Sequence, residues 1–171
     1  MKVAGVNLNG IKKISSICLI ENQNLSTFSA RTNEQILEVL NNAKPKIIVI
    51  NAPLFLKKEM RECEKEMVKS GFNFSLRDFD EREEIWGRAI RIKNTVERYA
   101  EVIETNSDVL KQRFKGDVEF IIKKFNLNQM NLIRNEEEKI AILCAITALL
   151  YERGEYQKFG NEEDFIVLPK T

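Results

Sequence analysis

A chain of 171 residues, 43% hydrophobic and 31% charged, has room for one packed core and is too apolar to be disordered. Its 27 basic and 26 acidic side chains nearly cancel, so a nucleic-acid partner needs a local basic patch rather than a global field. The chain has no histidine, which excludes Cys-His zinc sites, Ser-His-Asp triads and histidine bases, and no apolar run is long enough to span a membrane.

Cys18, Cys63 and Cys144 are widely spaced and contain no CxxC pair, and they read as reduced, buried thiols of a cytoplasmic protein. Abundant Lys and Glu without His is a composition found in thermophiles. The chain opens directly on a strand pattern, so no signal peptide is expected.

Met1–Leu8 is a near-continuous apolar run, Ile14–Ile20 a second, and Leu25–Ala30 a third with period-two alternation. Turn residues at Asn9-Gly10 and across Glu21–Asn24 join them into an antiparallel meander. Thr32 or Asn33 caps a helix that turns Ile36, Leu37, Val39 and Leu40 inward. Pro45 follows, then a buried strand over Lys46–Asn51 whose apolar run predicts parallel pairing to the first strand.

Beyond Pro53 the pattern is helical. A helix over Glu59–Ser70 stops at Gly71, Phe72–Asp80 is a loop, and Glu83–Arg98 is amphipathic. Ala100–Glu104 is a short strand, Ser107 opens another helix, and Asp117–Phe125 forms one more. Asn135 caps the longest helix, from Glu136 to about Arg153, with Gly154 after its end. Phe165–Leu168 is a last short strand. Repeats and linkers are absent from the pattern, so one domain over 1–171 is expected.

Two polar residues interrupt this pattern at informative places. Asn7 and Asn51 end two buried strands, and ligands of open α/β sheets gather beyond the carboxyl ends of parallel strands. Asn7 also reads as an ordinary strand end feeding a turn. Asn51 follows four apolar residues, and a buried amide there needs partners. Arg77, Arg82, Arg88, Arg91, Lys93 and Arg98 form the local basic excess. Arg88 and Arg91, one turn apart, are candidates to grip phosphates; the interleaved acids equally describe a solvated, salt-bridged face. Trp86 and Phe79 read either as stacking platforms or as core.

The element order is the layout of the ribonuclease H-like fold: a mixed five-stranded sheet, strands 1–3 antiparallel and strand 4 parallel to strand 1, flanked by helices. Ile50-Asn51-Ala52-Pro53-Leu54 resembles the Ile-Asp-Ala-Pro-Leu core of an uncharacterised family of predicted nucleases, domain of unknown function 429. Met60-Arg61-Glu62-Cys63-Glu64, Val102-Ile103-Glu104-Thr105, the helix Ala141–Ala148 and the closing Gly160…Ile166-Val167-Leu168-Pro169 resemble further family segments, in order.

That resemblance implies metal-dependent phosphodiester hydrolysis, with magnesium or manganese held by carboxylates. Here Asn7 and Asn51, and Ile140 just before Ala141, stand where the family has aspartate. Asn7, Asn51 and Glu104 are then the metal-site positions, and Arg61, with Arg88 and Arg91, is a substrate-binding candidate. Glu137 shares a helical face with Ala141, Cys144 and Ala148 and either replaces the lost acid or only favours the helix dipole. Asparagine brings no charge to a cation and cannot act as a general base. The resemblance thus implies a nuclease with weak or absent activity. The alternative is a non-catalytic module binding nucleic acid or protein on the same fold.

Overall fold

β1 (Lys2–Asn7), β2 (Ser15–Glu21) and β3 (Asn24–Ala30) form the antiparallel meander. Asn22 and Gln23 turn the second hairpin in the left-handed region, at φ of 48° and 70°, which asparagine tolerates better than most residues. These strands belong to a computed structural model that describes residues 1–170.

α1 (Asn33–Ala43) starts at a reciprocal cap, the Thr32 side chain accepting from Gln35 N while Gln35 reaches back. It returns the chain to β4 (Ile47–Asn51), parallel to β1. After α2 (Glu62–Lys69) and α3 (Phe79–Val96), β5 (Glu101–Thr105) pairs parallel with β4. Then follow α4 (Ser107–Arg113), α5 (Val118–Lys124), β6 (Asn128–Gln129), α6 (Glu136–Glu152), β7 (Tyr156–Gly160) and β8 (Phe165–Pro169).

The sheet has six strands in the order β5-β4-β1-β2-β3-β6, not the five expected. The sixth is the two-residue β6, parallel to β3 and too short to carry a periodic signal. β8 pairs with β7 in a separate hairpin. Two helix starts also differ. α2 begins three residues late, where the Glu64 carboxylate takes the Arg61 N–H at 2.8 Å. α3 begins four residues early because the Asp78 side chain caps it through Glu81 N at 3.2 Å.

Alternation along the strands builds a core on each face. Val3, Cys18, Val49 and Ile103 meet α6 and the hairpin, whereas Ala4, Val6, Ile17, Ile48 and Ile50 meet α1 and α3. α6 is buried along nearly its whole length. It crosses β1 at Gly5, where a Cβ would overlap Ala141 O and Ala145 N of the helix backbone. Only a missing side chain allows that approach. Gly5 therefore sets the height of α6 over the sheet, and the first turn of α6 falls above the carboxyl end of β1.

The far edge of the sheet is closed by a side chain. Asn131 Oδ1 accepts from Thr27 N at 3.0 Å and its Nδ2 donates to Thr27 O at 2.8 Å, imitating one ladder rung beyond β6. Cys18, Cys63 and Cys144 are all buried and free. Among the described residues no helix is long and apolar enough to cross a membrane.

Candidate functional site

The register brings one polar residue from each of five strands into a single row. Asn7 faces Asn51 on β4 and Ser16 on β2, Asn51 faces Thr105 on β5, and Ser16 faces Ser29 on β3. By strand alternation all five leave the sheet on the α6 side. Residues read separately along the sequence thus become one belt, which passes under the first turn of α6 at Asn7 and reaches β8 at Thr105, whose hydroxyl donates to Val167 O at 2.8 Å.

Asn7, Asn51 and Glu137 meet directly in that belt. The backbone N–H of Ser107, at the start of α4, donates to Asn51 Oδ1 at 2.9 Å. Asn51 Nδ2 donates to Asn7 Oδ1 at 2.8 Å, and Asn7 Nδ2 donates to Glu137 Oε2 at 2.5 Å. Asn9 Nδ2 reaches the same carboxylate oxygen at 2.8 Å while also donating to Ile14 O at 2.8 Å. Glu137 lies in the first turn of α6, where the helix dipole favours its negative charge.

Glu104 belongs to a different cluster. By alternation it leaves β5 on the face opposite Asn51. It is only 4% exposed and grips the Arg61 guanidinium through both carboxylate oxygens, Oε2 to Nη1 at 3.1 Å and Oε1 to Nη2 more closely still. Oε2 also accepts from Leu54 N at 2.9 Å. Arg61 in turn donates to Glu64 at 3.2 Å and to Asp164 at 2.9 Å. One guanidinium therefore serves three carboxylates where β5, α2 and the β7–β8 turn meet.

Burial pushes the Glu104 carboxyl above its usual range, and the Arg61 hydrogen bond and charge only partly offset this. Burial would lower Arg61, but Glu104 outweighs it and holds the guanidinium firmly protonated. The nearby Cys63 thiol is pushed up to about 12, first by burial, with Arg61 pulling the other way. That thiol is inert at neutral pH.

Arg88 and Arg91 do not form a pair of phosphate hands. Arg88 is 8% exposed, and its guanidinium donates to Asn9 O, to Arg31 O at 2.9 Å and to Asn33 Oδ1 at 3.0 Å. It ties α3 to the loop after β1 and to the start of α1. Arg91 is exposed on the same helix. Trp86 and Phe79 are half-buried, and Arg82 stacks over the Phe79 ring at 5.5 Å. Ile140 is core.

The residues at the strand ends do not fit a divalent cation. The Asn7 amide hydrogens point at Glu137, and the Asn7 and Asn51 oxygens are both occupied by N–H donors. Glu104 is neutralised by a buried arginine. Ser16 Oγ, buried without a hydrogen-bond partner beside Asn7, adds an oxygen but no charge. Among the described residues no three Cys, Asp or Glu side chains converge as a metal site.

Sequence reasoning missed a cationic rim. β1 and β4 are adjacent and parallel, so the loops that follow them leave the same edge. Lys12 and Lys13 on one loop and Lys57 and Lys58 on the other are all exposed, with Ile11 and Phe55 exposed beside them. Between that edge and α4 lies a cavity of about 220 Å³ whose lining includes Asn51, Arg61, Arg77, Arg82, Glu104 and Ser107. The two Lys-Lys pairs were visible in the sequence; their placement on one edge follows only from the strand order.

Two solved structures share this architecture. Thermus thermophilus RuvC in complex with a Holliday junction substrate matches with a TM-score of 0.58 at 16% identity, over 90% of this chain and 96% of that one. A Thermus thermophilus RuvC structure matches with a TM-score of 0.57 at 15% identity, over the same shares. No family model and no curated protein matches the chain, so the resemblance to the domain of unknown function 429 stands on its motifs alone. What is shown is the fold: mixed α/β, ribonuclease H-like, as in RuvC.

Proposed function

We propose that this protein is a nucleic-acid-binding domain that keeps a nuclease fold without cutting. The observation that carries the reading is the state of the strand-end amides: Asn51 Oδ1 accepts from Ser107 and Asn7 Oδ1 accepts from Asn51, so no charge is offered and an NH2 rather than an oxygen faces Glu137. Hydrolysis of a phosphodiester on this fold calls for charged oxygen ligands and an activated water; beside Asn7 the belt meets one carboxylate, already bonded to two amides, and at Ser29 it meets Glu138, already held by Arg134.

Binding is supported by the rim rather than by the belt. Lys12, Lys13, Lys57 and Lys58 offer four cations along one edge, and Phe55, 43% exposed, offers a face on which a base can stack. Arg77, exposed at the cavity wall, extends the same edge. The fold likeness to a RuvC chain bound to a Holliday junction makes branched DNA the first substrate to try.

Mobility shifts with four-way junctions, duplexes and single strands, across a salt series with magnesium or manganese present, test both halves. The expected result is retarded nucleic acid of unchanged length. Replacing the four lysines by alanine should flatten the salt dependence by about 0.9 in log–log slope for each phosphate that is no longer neutralised. Metal-dependent cleavage by the unmodified protein, or no shift at low salt with any nucleic acid, overturns the reading.

A further inference from the structure

We infer that the Asn7 amide stands in for a cation, so that one exchange to aspartate turns a cation-independent lock into a cation-dependent one. The direction of the hydrogen bonds carries this. A backbone N–H can only donate, so Ser107 N fixes Asn51 with its oxygen toward α4 and its NH2 toward Asn7. Asn7 must then present its oxygen to Asn51, and its NH2 is left facing Glu137. Every link is set by the one before it, and the relay delivers N–H hydrogens to a carboxylate. Asn9 brings a second N–H to the same oxygen. Glu137 thereby receives from amides the positive partners that a bound ion would otherwise provide.

An aspartate at position 7 keeps the bond from Asn51 but sets a carboxylate oxygen against Glu137 Oε2, which Asn7 now meets at 2.5 Å. Two carboxylates at that spacing cannot both stay ionised without a shared proton or a cation between them. An aspartate at position 51 keeps the Ser107 bond but has no hydrogen for Asn7. Asn7 must then turn over, and its oxygen faces Glu137 instead. The conflict moves one link along and has the same remedy. With both exchanges, positions 51, 7 and 137 become a file of three neighbouring carboxylates, a donor set suited to a dication. Gly5 lets α6 approach closely enough to hold Glu137 against position 7.

The inference rests on the same amides as the non-cutting reading, yet the two fail separately, because its readout is thermal stability rather than cleavage. Melting of the wild type, Asn7→Asp, Asn51→Asp and the double variant is compared in chelator and in manganese, near neutral and at mildly acidic pH. The wild-type Tm should not move with manganese. Asn7→Asp should melt several degrees lower in chelator at neutral pH and recover on acidification. The double variant should gain Tm progressively with manganese concentration, as a ligand that binds only the folded state requires. Asn7→Asp combined with Glu137→Gln restores an N–H between the two side chains and should regain Tm in chelator without any metal. Asn7→Ala, which loses the hydrogen bond without adding charge, should respond to neither pH nor manganese. A wild type stabilised by manganese as strongly as the double variant would overturn the inference. So would an Asn7→Asp protein as stable as wild type in chelator, or a Glu137→Gln exchange that rescues nothing. If the double variant does not fold, the single variant with and without Glu137→Gln decides alone.

Discussion

The carboxyl edge of the sheet carries two polar clusters held by opposite means. The relay through Asn51 and Asn7 ends on one carboxylate, Glu137, and its order comes from the direction of each donor. The Arg61 cluster contains one cation and three carboxylates, and its order comes from charges withdrawn from water. A neutral relay costs little to bury when every group is paired, and it resists any exchange that reverses a donor. A buried ion cluster balances a large desolvation penalty against attraction, and it fails when one partner leaves.

The largest expected effect breaks the charged side of that contrast. Arg61→Met strands Glu64, Glu104 and Asp164 and should destabilise the protein by about 3–5 kcal/mol, read as a lower urea midpoint at unchanged m. The combined change Arg61→Met with Glu104→Met should recover part of the loss. If it recovers nothing, uncompensated charge is not the cause.

Next is Gly5→Ala, whose Cβ meets helix backbone that has nowhere to give. A cost of at least about 1–3 kcal/mol is expected from overpacking, measurable as a fall in Tm. Asn51→Leu follows: it leaves Ser107 N–H and Asn7 Oδ1 without partners, at about 1–3 kcal/mol, and chemical unfolding would show it. A variant as stable as wild type would mean that the relay contributes nothing to stability.

The smallest effect is a difference in pH dependence between Glu104 and Glu138, two of the buried glutamates. Glu104 is raised by burial, so its contribution is complete below the ordinary carboxylate range and shrinks as pH rises through its elevated folded value. Glu138 goes the other way. Burial would raise it, but the Arg134 backbone N–H and guanidinium, with Ser29, outweigh burial and lower it. Its contribution is complete above the ordinary range and is lost as pH falls through the depressed value. Glu138→Gln should flatten the acid limb of a stability–pH curve, and Glu104→Gln should flatten its slope just above that range.

The sequence shows strands by what they bury, and this governs what could be read from it. β1, β2, β3, β4 and β5 are apolar runs or alternations and were legible almost to the residue, as was α6 with its Asn135 cap. β7 was not, because Tyr156-Gln157-Lys158-Phe159-Gly160 is mostly polar and pairs only with β8. Within the site, the meeting of Asn7, Asn51 and Glu137 was expected because strand ends and a helix start converge in any such topology. The engagement of Arg88 was not foreseeable, since an arginine capping three oxygens reads no differently in sequence from one facing solvent. The same holds for Glu104, whose partner Arg61 lies 43 residues away.

Asn131 has a consequence for how the molecule behaves in a crowd. An exposed β3 flank would offer its unpaired N–H and C=O groups as a template for a strand from another chain. With Thr27 already answered by the Asn131 carboxamide, and Asn24 and Leu25 taken by Asn128 and Gln129, little of that template remains. One amide side chain thus serves as negative selection against fibre-like stacking, and its loss would show first as turbidity in concentrated solution rather than as a lower melting point.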